Sequence, residues 1–571
     1  MLTQDQVWHD SQDINYRSPV GAAEAGSKVR MGLRLRTKEG IRQVILRCWQ
    51  DQTGEHLIPL ETQDDPFQEE HFYSGWLPLP EKGGLVWYYF IISMEDGTWY
   101  YGNNPEQLGG MGTLYDHVPP SFQITVFNKG AKTPDWFKHA VMYQIFPDRF
   151  SRDGNAIIEK RGAVFHASWQ DDPCYYKDPD TKEIVAYDFF GGNLKGIEKK
   201  LDYLKGLGIS VIYLNPVFES ESNHHYDTGD YHKIDPILGS NEDFRHLVDV
   251  AKAKGIRIII DGVFSHTGSN SRYFNREGQY DTIGAFRSPD SPYFEWYNFR
   301  NFPYEYESWW NFSTLPDVKE TTPSYMDFII YDKDSVLHHW MKEGIAGWRL
   351  DVIDELPAAF SQSFFAELKK TDPDAVMIGE VWEDASHKVA YGVPREYLCG
   401  QEMDSAMNYP FRQILFDFLL GRTDAKMSLR RFESLRNDAV VQFAREHQPS
   451  DISTPSFVND FRISNVICAG DNPSDMAVAC NRLKEIGGGY VVASCGQILG
   501  EVALPAYGLM SDQNASTITE QIHHLETTLH TLGVRKTIDL VNLTFVALPV
   551  IPSIRLLDTG LYDVDERKFI D

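Results

Sequence analysis

Basic residues are scarce in this chain: 54 lysines and arginines face 82 aspartates and glutamates, a formal net charge of −28. So acidic a surface repels phosphate backbones and anionic headgroups, which argues against nucleic acid and membrane as partners. It is neutral about an uncharged sugar. Cysteine is scarce too. The six, at 48, 174, 399, 468, 480 and 495, show no framework spacing, so reduced thiols are expected. No apolar run reaches membrane-spanning length, and the opening MLTQDQVWHD lacks the basic and apolar regions of a secretory leader. These absences predict a cytoplasmic protein. Hydrophobic residues at 42% and aromatics at 13% are globular values, and 571 residues exceed one compact core, so three or four domains are expected.

What is present is organised around two stretches, GWRLDVIDE at 347–355 and GEVWEDA at 379–385. Each opens as an apolar run typical of a buried parallel strand and ends in carboxylates. Side chains two apart in a strand point the same way, so Arg349 and Asp351 share one face. A fixed cation beside Asp351 favours its ionised form, which suits a nucleophile. Glu380, delivered to a strand end beside Trp382, is expected to have a raised pKa. Two carboxylates in contrasting environments are what retaining glycoside hydrolysis requires.

These segments, in order with DGVFSH at 261–266, resemble the catalytic segments of the α-amylase family, glycoside hydrolase family 13, over about 1–437. The resemblance implies that Asp351 is the nucleophile and Glu380 the general acid/base. It also implies that Arg349 holds Asp351 ionised, that Asp261 supports the arginine, and that His266 and Tyr226 contact sugar. The substrate it implies is an α-glucan, with α-1,4 and perhaps α-1,6 bonds of the maltodextrin or pullulan type. Where relatives often carry Met-Pro-Lys-Leu-Asn this chain has LPDVK, so cyclodextrin specificity is not supported.

In chain order, 1–130 alternates apolar and polar residues in short runs such as KVRMGLRLRT, and VWYYFIIS with TWYYG forms a hairpin around Asp96-Gly97. This predicts a β-sandwich, similar to the N-terminal module of neopullulanases, which can contact sugar or mediate a homodimer. Trp87, Trp99 and Tyr100 either pack its core or stack on glucose rings. Over 131–437, strands alternate with helices, which predicts a parallel sheet. The family likeness closes that sheet as a TIM-type barrel with an insertion at 266–322. Within it, 293–312 hold eleven aromatics in twenty positions, a local aromatic core that also offers Trp309 and Trp310 to substrate.

After the sixth strand the family pattern stops. No seventh strand with its Asn-His-Asp or Ser-His-Asp ending is legible, so the barrel is expected to be incomplete and the third carboxylate is unassigned; Asp460 in SFVNDF is the nearest substitute. A junction at 438–461 leads to 462–571, which resembles the C-terminal domain of adenine deaminases and reads as a small α+β unit. It does not imply deamination, because the metal ligands of such amidohydrolases belong to a barrel absent here. No cofactor is required. Asp153, Asn155 and Asn193 resemble a calcium site near the start of some neopullulanase barrels and read equally as a plain turn. The expectation is a retaining α-glucan hydrolase by descent, its activity open to loss through truncation. The alternative is a catalytically silent sugar-binding or non-functional fusion protein.

Overall fold

The computed structural model describes residues 2–419 apart from 38, 52, 64–69, 155–159 and 178–183, together with 431, 473–486, 489–504, 513–532 and the backbone of three short strands beyond 553. Residues 1–449 and 450–571 form two compact units. The junction at 438–461, with Asp460, and Asn155 lie outside the described residues. No helix among those described is long and apolar enough to cross a membrane.

Residues 7–127 make two sheets, of five and seven strands, with a shared apolar core. Alternation produces it: in the strand Lys28–Leu35, Val29, Met31, Leu33 and Leu35 are fully buried. Trp99 packs against that core, while Trp87 meets His387 of the second layer of structure at 6.1 Å between ring centres.

The catalytic-type sheet has six parallel strands in sequential order: Met142–Ile145, Val211–Leu214, Arg257–Gly262, Gly347–Leu350, Val376–Gly379 and Ser405–Ala406. Strands two, four and five are buried throughout, as a parallel sheet covered on both faces demands. The helix Asn241–Ala253 shows why the connections form. Ser240 closes a capping box with Asp243, and Phe244, Leu247, Val248 and Ala251 bury one stripe before the chain turns back into the third strand. Gly347 lets the fourth strand lie against the fifth, since a Cβ there would sit 2.0 Å from the carbonyl oxygen of Val376.

The first strand departs from this pattern: Met142 and Tyr143 are 40% and 36% exposed. No further strand pairs with it among the described residues.

In the second unit, the helix Pro473–Glu485 and the helix Ala515–Thr531 pack on a hairpin of Gly489–Ser494 and Gln497–Ala503. Val502 and Leu525 are buried at its centre, with Ile518, Ile522 and Leu529 beside them.

Candidate active site

Parallel register places the site. Arg349 pairs with Asp261 across strands three and four and with Ile378 across four and five. The ladder then runs one residue further on each side: Asp351 N–H donates to the Gly262 carbonyl at 3.0 Å, and Glu380 N–H to that of Leu350 at 3.1 Å. Asp261, Asp351 and Glu380 therefore stand at the C-terminal ends of three adjacent strands.

They converge on Arg349. Its Nη1 reaches both oxygens of Asp261 at 2.8 and 3.0 Å and Oδ1 of Asp351 at 2.8 Å. Its Nη2 reaches Oε2 of Glu380 at 2.7 Å. The Tyr213 and Tyr226 hydroxyls donate to Oδ2 of Asp261 at 2.5 and 3.0 Å. Glu380 collects three more donors: the Val352 N–H at 2.9 Å, Trp382 Nε1 at 3.1 Å and the Tyr409 hydroxyl at 3.0 Å. Val352 can aim its N–H there because its backbone is left-handed, with φ 36° and ψ 61°, a strained conformation for a β-branched residue.

Three carboxylates around one guanidinium cannot all be ionised cheaply in so buried a place. Burial pushes Asp351 well up, with Asp261 and Glu380 adding to the rise against the pull of Arg349. Burial also acts to raise Glu380, yet Arg349 and the three donors outweigh it and hold its carboxyl below the usual range. This reverses the order expected from sequence. The physical reason is the donor count: Asp351 has one nitrogen of a shared arginine, while Glu380 has the other nitrogen and three further hydrogen bonds.

The family profile described as "Alpha amylase, catalytic domain" matches residues 144–459, over half of the chain. The chain belongs to the alpha-amylase family. A second profile, "Adenine deaminase C-terminal domain", matches 462–568. Among curated relatives, the amylopullulanase of Thermoanaerobacterium saccharolyticum is 40% identical over 451 residues, 73% of this chain but 34% of that protein. Neopullulanase 2 of Thermoactinomyces vulgaris is 36% identical over 72% of this chain and 65% of its own length. The intracellular maltogenic amylase of Bacillus subtilis is 36% identical over 68% and 62%. The chain thus spans about a third of the amylopullulanase. The alpha-amylase profile reaches 459, beyond 437 where the likeness stops being legible by eye.

Around these carboxylates stand His266, Tyr226, Trp309 and Trp310, together with Glu355, which the sequence did not single out. His266 is buried, its pKa lowered by burial to about 4, and is bound to Ser265 Oγ and the Tyr226 carbonyl. Tyr226 spends its hydroxyl on Asp261. Trp309 and Trp310 stack on each other at 5.3 Å, with Trp309 against His266, and both indoles donate to Glu355, which also accepts from the Tyr391 hydroxyl. Glu355 lies four residues past Asp351 in a stretch already singled out, yet nothing in one sequence tells that two tryptophans and a tyrosine from distant loops meet it. The other insertion aromatics build a local core, with Phe274 surrounded by Tyr297, Phe299 and Tyr306.

Of the residues likened to a calcium site, Asn193 Oδ1 caps a helix at the Gly196 N–H and Asp153 pairs with Lys199. Asn193 also accepts from the Asp153 N–H at 3.2 Å and donates to the Asp153 carbonyl at 2.9 Å, so these two residues meet in a capped turn, with Asn155 outside the described residues.

Proposed function

We propose that this chain carries a retaining α-glucosidic site, binds α-glucan oligosaccharides there, and hydrolyses them several orders of magnitude more slowly than an intact site of this kind. The observation that supports the site is the single guanidinium of Arg349 shared by Asp351 and Glu380. Family membership, and relatives named amylopullulanase and neopullulanase, support the substrate class.

The chemistry needs Asp351 ionised and Glu380 protonated. An Asp351 oxygen attacks the anomeric carbon while the C–O bond to the leaving sugar breaks and Glu380 gives that oxygen its proton. Glu380 then takes a proton from water, whose oxygen displaces Asp351 from the same carbon. In the free site the directions are opposite: burial pushes Asp351 up, while Arg349 and three further donors hold Glu380 down. The third carboxylate, which holds sugar hydroxyls in the transition state by the resemblance, has only Asp460 as a candidate, and losing a group that acts there lowers the rate steeply.

The test compares maltooligosaccharide affinity with turnover of a nitrophenyl maltoside. Saturable binding with turnover barely above background is expected, and binding without Asp351-dependent turnover would favour the silent-binder alternative outright. Rapid Asp351-dependent turnover would overturn the slow-enzyme reading.

A further inference from the structure

Away from this site, three residues of different strands converge on one point. The small sheet of Ala163–Phe165, Tyr175–Lys177 and Ile184–Phe189 pairs in the order first, third, second. His166 follows the first of these strands, Cys174 precedes the second and Asp188 lies in the third. One ligand atom from each, an imidazole nitrogen, the thiol sulfur and a carboxylate oxygen, lies within 4.8 Å of the others.

We propose that His166, Cys174 and Asp188 form a binding site for a borderline divalent transition-metal ion of the zinc class, which staples the three strands together. The donor set selects the class. A thiolate with an imidazole disfavours calcium and magnesium and suits zinc or cobalt(II), with water completing four-coordination. Metal–ligand bonds of about 2.0–2.3 Å put such donors roughly 3.3–3.7 Å apart, so side-chain adjustments on the order of 1 Å close the site.

The surroundings are those a metal-ligating histidine needs. Asp171 Oδ2 lies 3.4 Å from His166 Nδ1, where it would hold a proton on that nitrogen once metal takes Nε2. Arg149 and Asn223 engage Oδ1 of Asp188 at 3.1 and 2.9 Å. Its Oδ2 faces His166 Nε2 at 2.9 Å and also accepts from the Cys174 N–H at 3.0 Å. Metal would take the place of the contact between Nε2 and Oδ2 and would bind the sulfur as thiolate, any proton so displaced leaving to solvent. The nearby Arg149 opposes the cation and Asp171 offsets it. Asn223 also donates to the Asp188 carbonyl at 2.8 Å, so a loaded site would stiffen the turn that continues into His224 and Tyr226.

The test is titration of the full chain, stripped with chelator, with cobalt(II) alone. We expect one equivalent to bind with a thiolate-to-cobalt charge-transfer band that zinc displaces. Cys174→Ser and His166→Gln should each abolish the band, with circular dichroism reporting whether they fold. Cys495→Ser, a change at an exposed thiol in the other unit, should leave it intact. A band that survives Cys174→Ser, a band lost in Cys495→Ser, or no stoichiometric binding by the folded parent would each overturn the proposal.

Discussion

Arg349 spreads one guanidinium over two carboxylates, with Nη1 2.8 Å from Oδ1 of Asp351 and Nη2 2.7 Å from Oε2 of Glu380. Both groups and the arginine are nearly excluded from solvent. Removing the cation alone leaves three buried carboxylates facing one another. Arg349→Met should therefore destabilise the first unit by about 3–5 kcal/mol at neutral pH, and by less in acid, where the carboxylates protonate. Denaturant unfolding at two pH values checks this. An equal loss at both would mean that packing, not charge, is what the arginine supplies.

Val352 is strained for a purpose: its left-handed backbone brings its N–H to Glu380. Glycine adopts that conformation freely, and Val352 is only half-buried. Relief of roughly 1–2 kcal/mol of strain should outweigh glycine's entropic cost of about 0.5–1 kcal/mol, so Val352→Gly should be neutral to slightly stabilising. A drop of more than about 1 kcal/mol in unfolding free energy would show that the valine side chain contributes more than the strain costs.

Two carboxyls and one histidine tilt stability in opposite directions over overlapping pH windows. Burial raises Asp317 to about 7 and Glu320 to about 8, so between about 4 and those values the folded chain holds protons that the unfolded chain releases. Stability therefore falls as pH rises through that window. Burial lowers His266 from 6.5 to about 4, so there the unfolded chain binds the extra proton and stability falls as pH drops from 6.5 to about 4. Asp317→Asn with Glu320→Gln should flatten the fall above about pH 6.5 and, between about 4 and 6.5, leave the His266 slope unopposed, so that stability there drops more steeply as pH falls. Denaturation midpoints between about pH 4 and 9 report both, and an unaltered alkaline slope would remove these two groups from the explanation.

Trp310 is 59% exposed while its indole is fixed by Glu355 and stacked on Trp309. A ring that is both presented and immobilised suits a sugar face. Trp310→Ala should weaken maltooligosaccharide binding roughly tenfold, about 1.4 kcal/mol, with little effect on folding. Titration calorimetry measures it, and unchanged affinity would assign the pair to loop packing.

Much of this was legible in the chain itself, for reasons that differ by residue. Asp261, Asp351 and Glu380 follow apolar runs typical of buried parallel strands, and period-two geometry puts Arg349 on the face of Asp351. The protonation order was not legible. It turns on Tyr409 and Val352, whose donation to Glu380 depends on the start of a helix and on one left-handed residue. Glu355 was hidden for a related reason, since its partners Trp309, Trp310 and Tyr391 come from two loops with no periodicity. The six-strand order followed from alternating strand and helix patterns; Met142 and Tyr143 on the first strand are exposed, and among the described residues no further strand pairs there.

The site persists while its turnover falls to a small remainder. An effective third carboxylate must reach sugar hydroxyls beside Asp351 on a support rigid to about half an ångström. Asp460 lacks the neighbouring histidine of the family motif, and the preceding QPSDISTPSF has no strand pattern to hold it. The most direct measurement is maltooligosaccharide hydrolysis by the parent, Asp351→Ala and Asp460→Ala at saturating substrate. We expect a parent rate slightly above background that falls to background in Asp351→Ala and is unchanged in Asp460→Ala. Robust parent hydrolysis that disappears in both variants would contradict this expectation and make Asp460 the working third carboxylate.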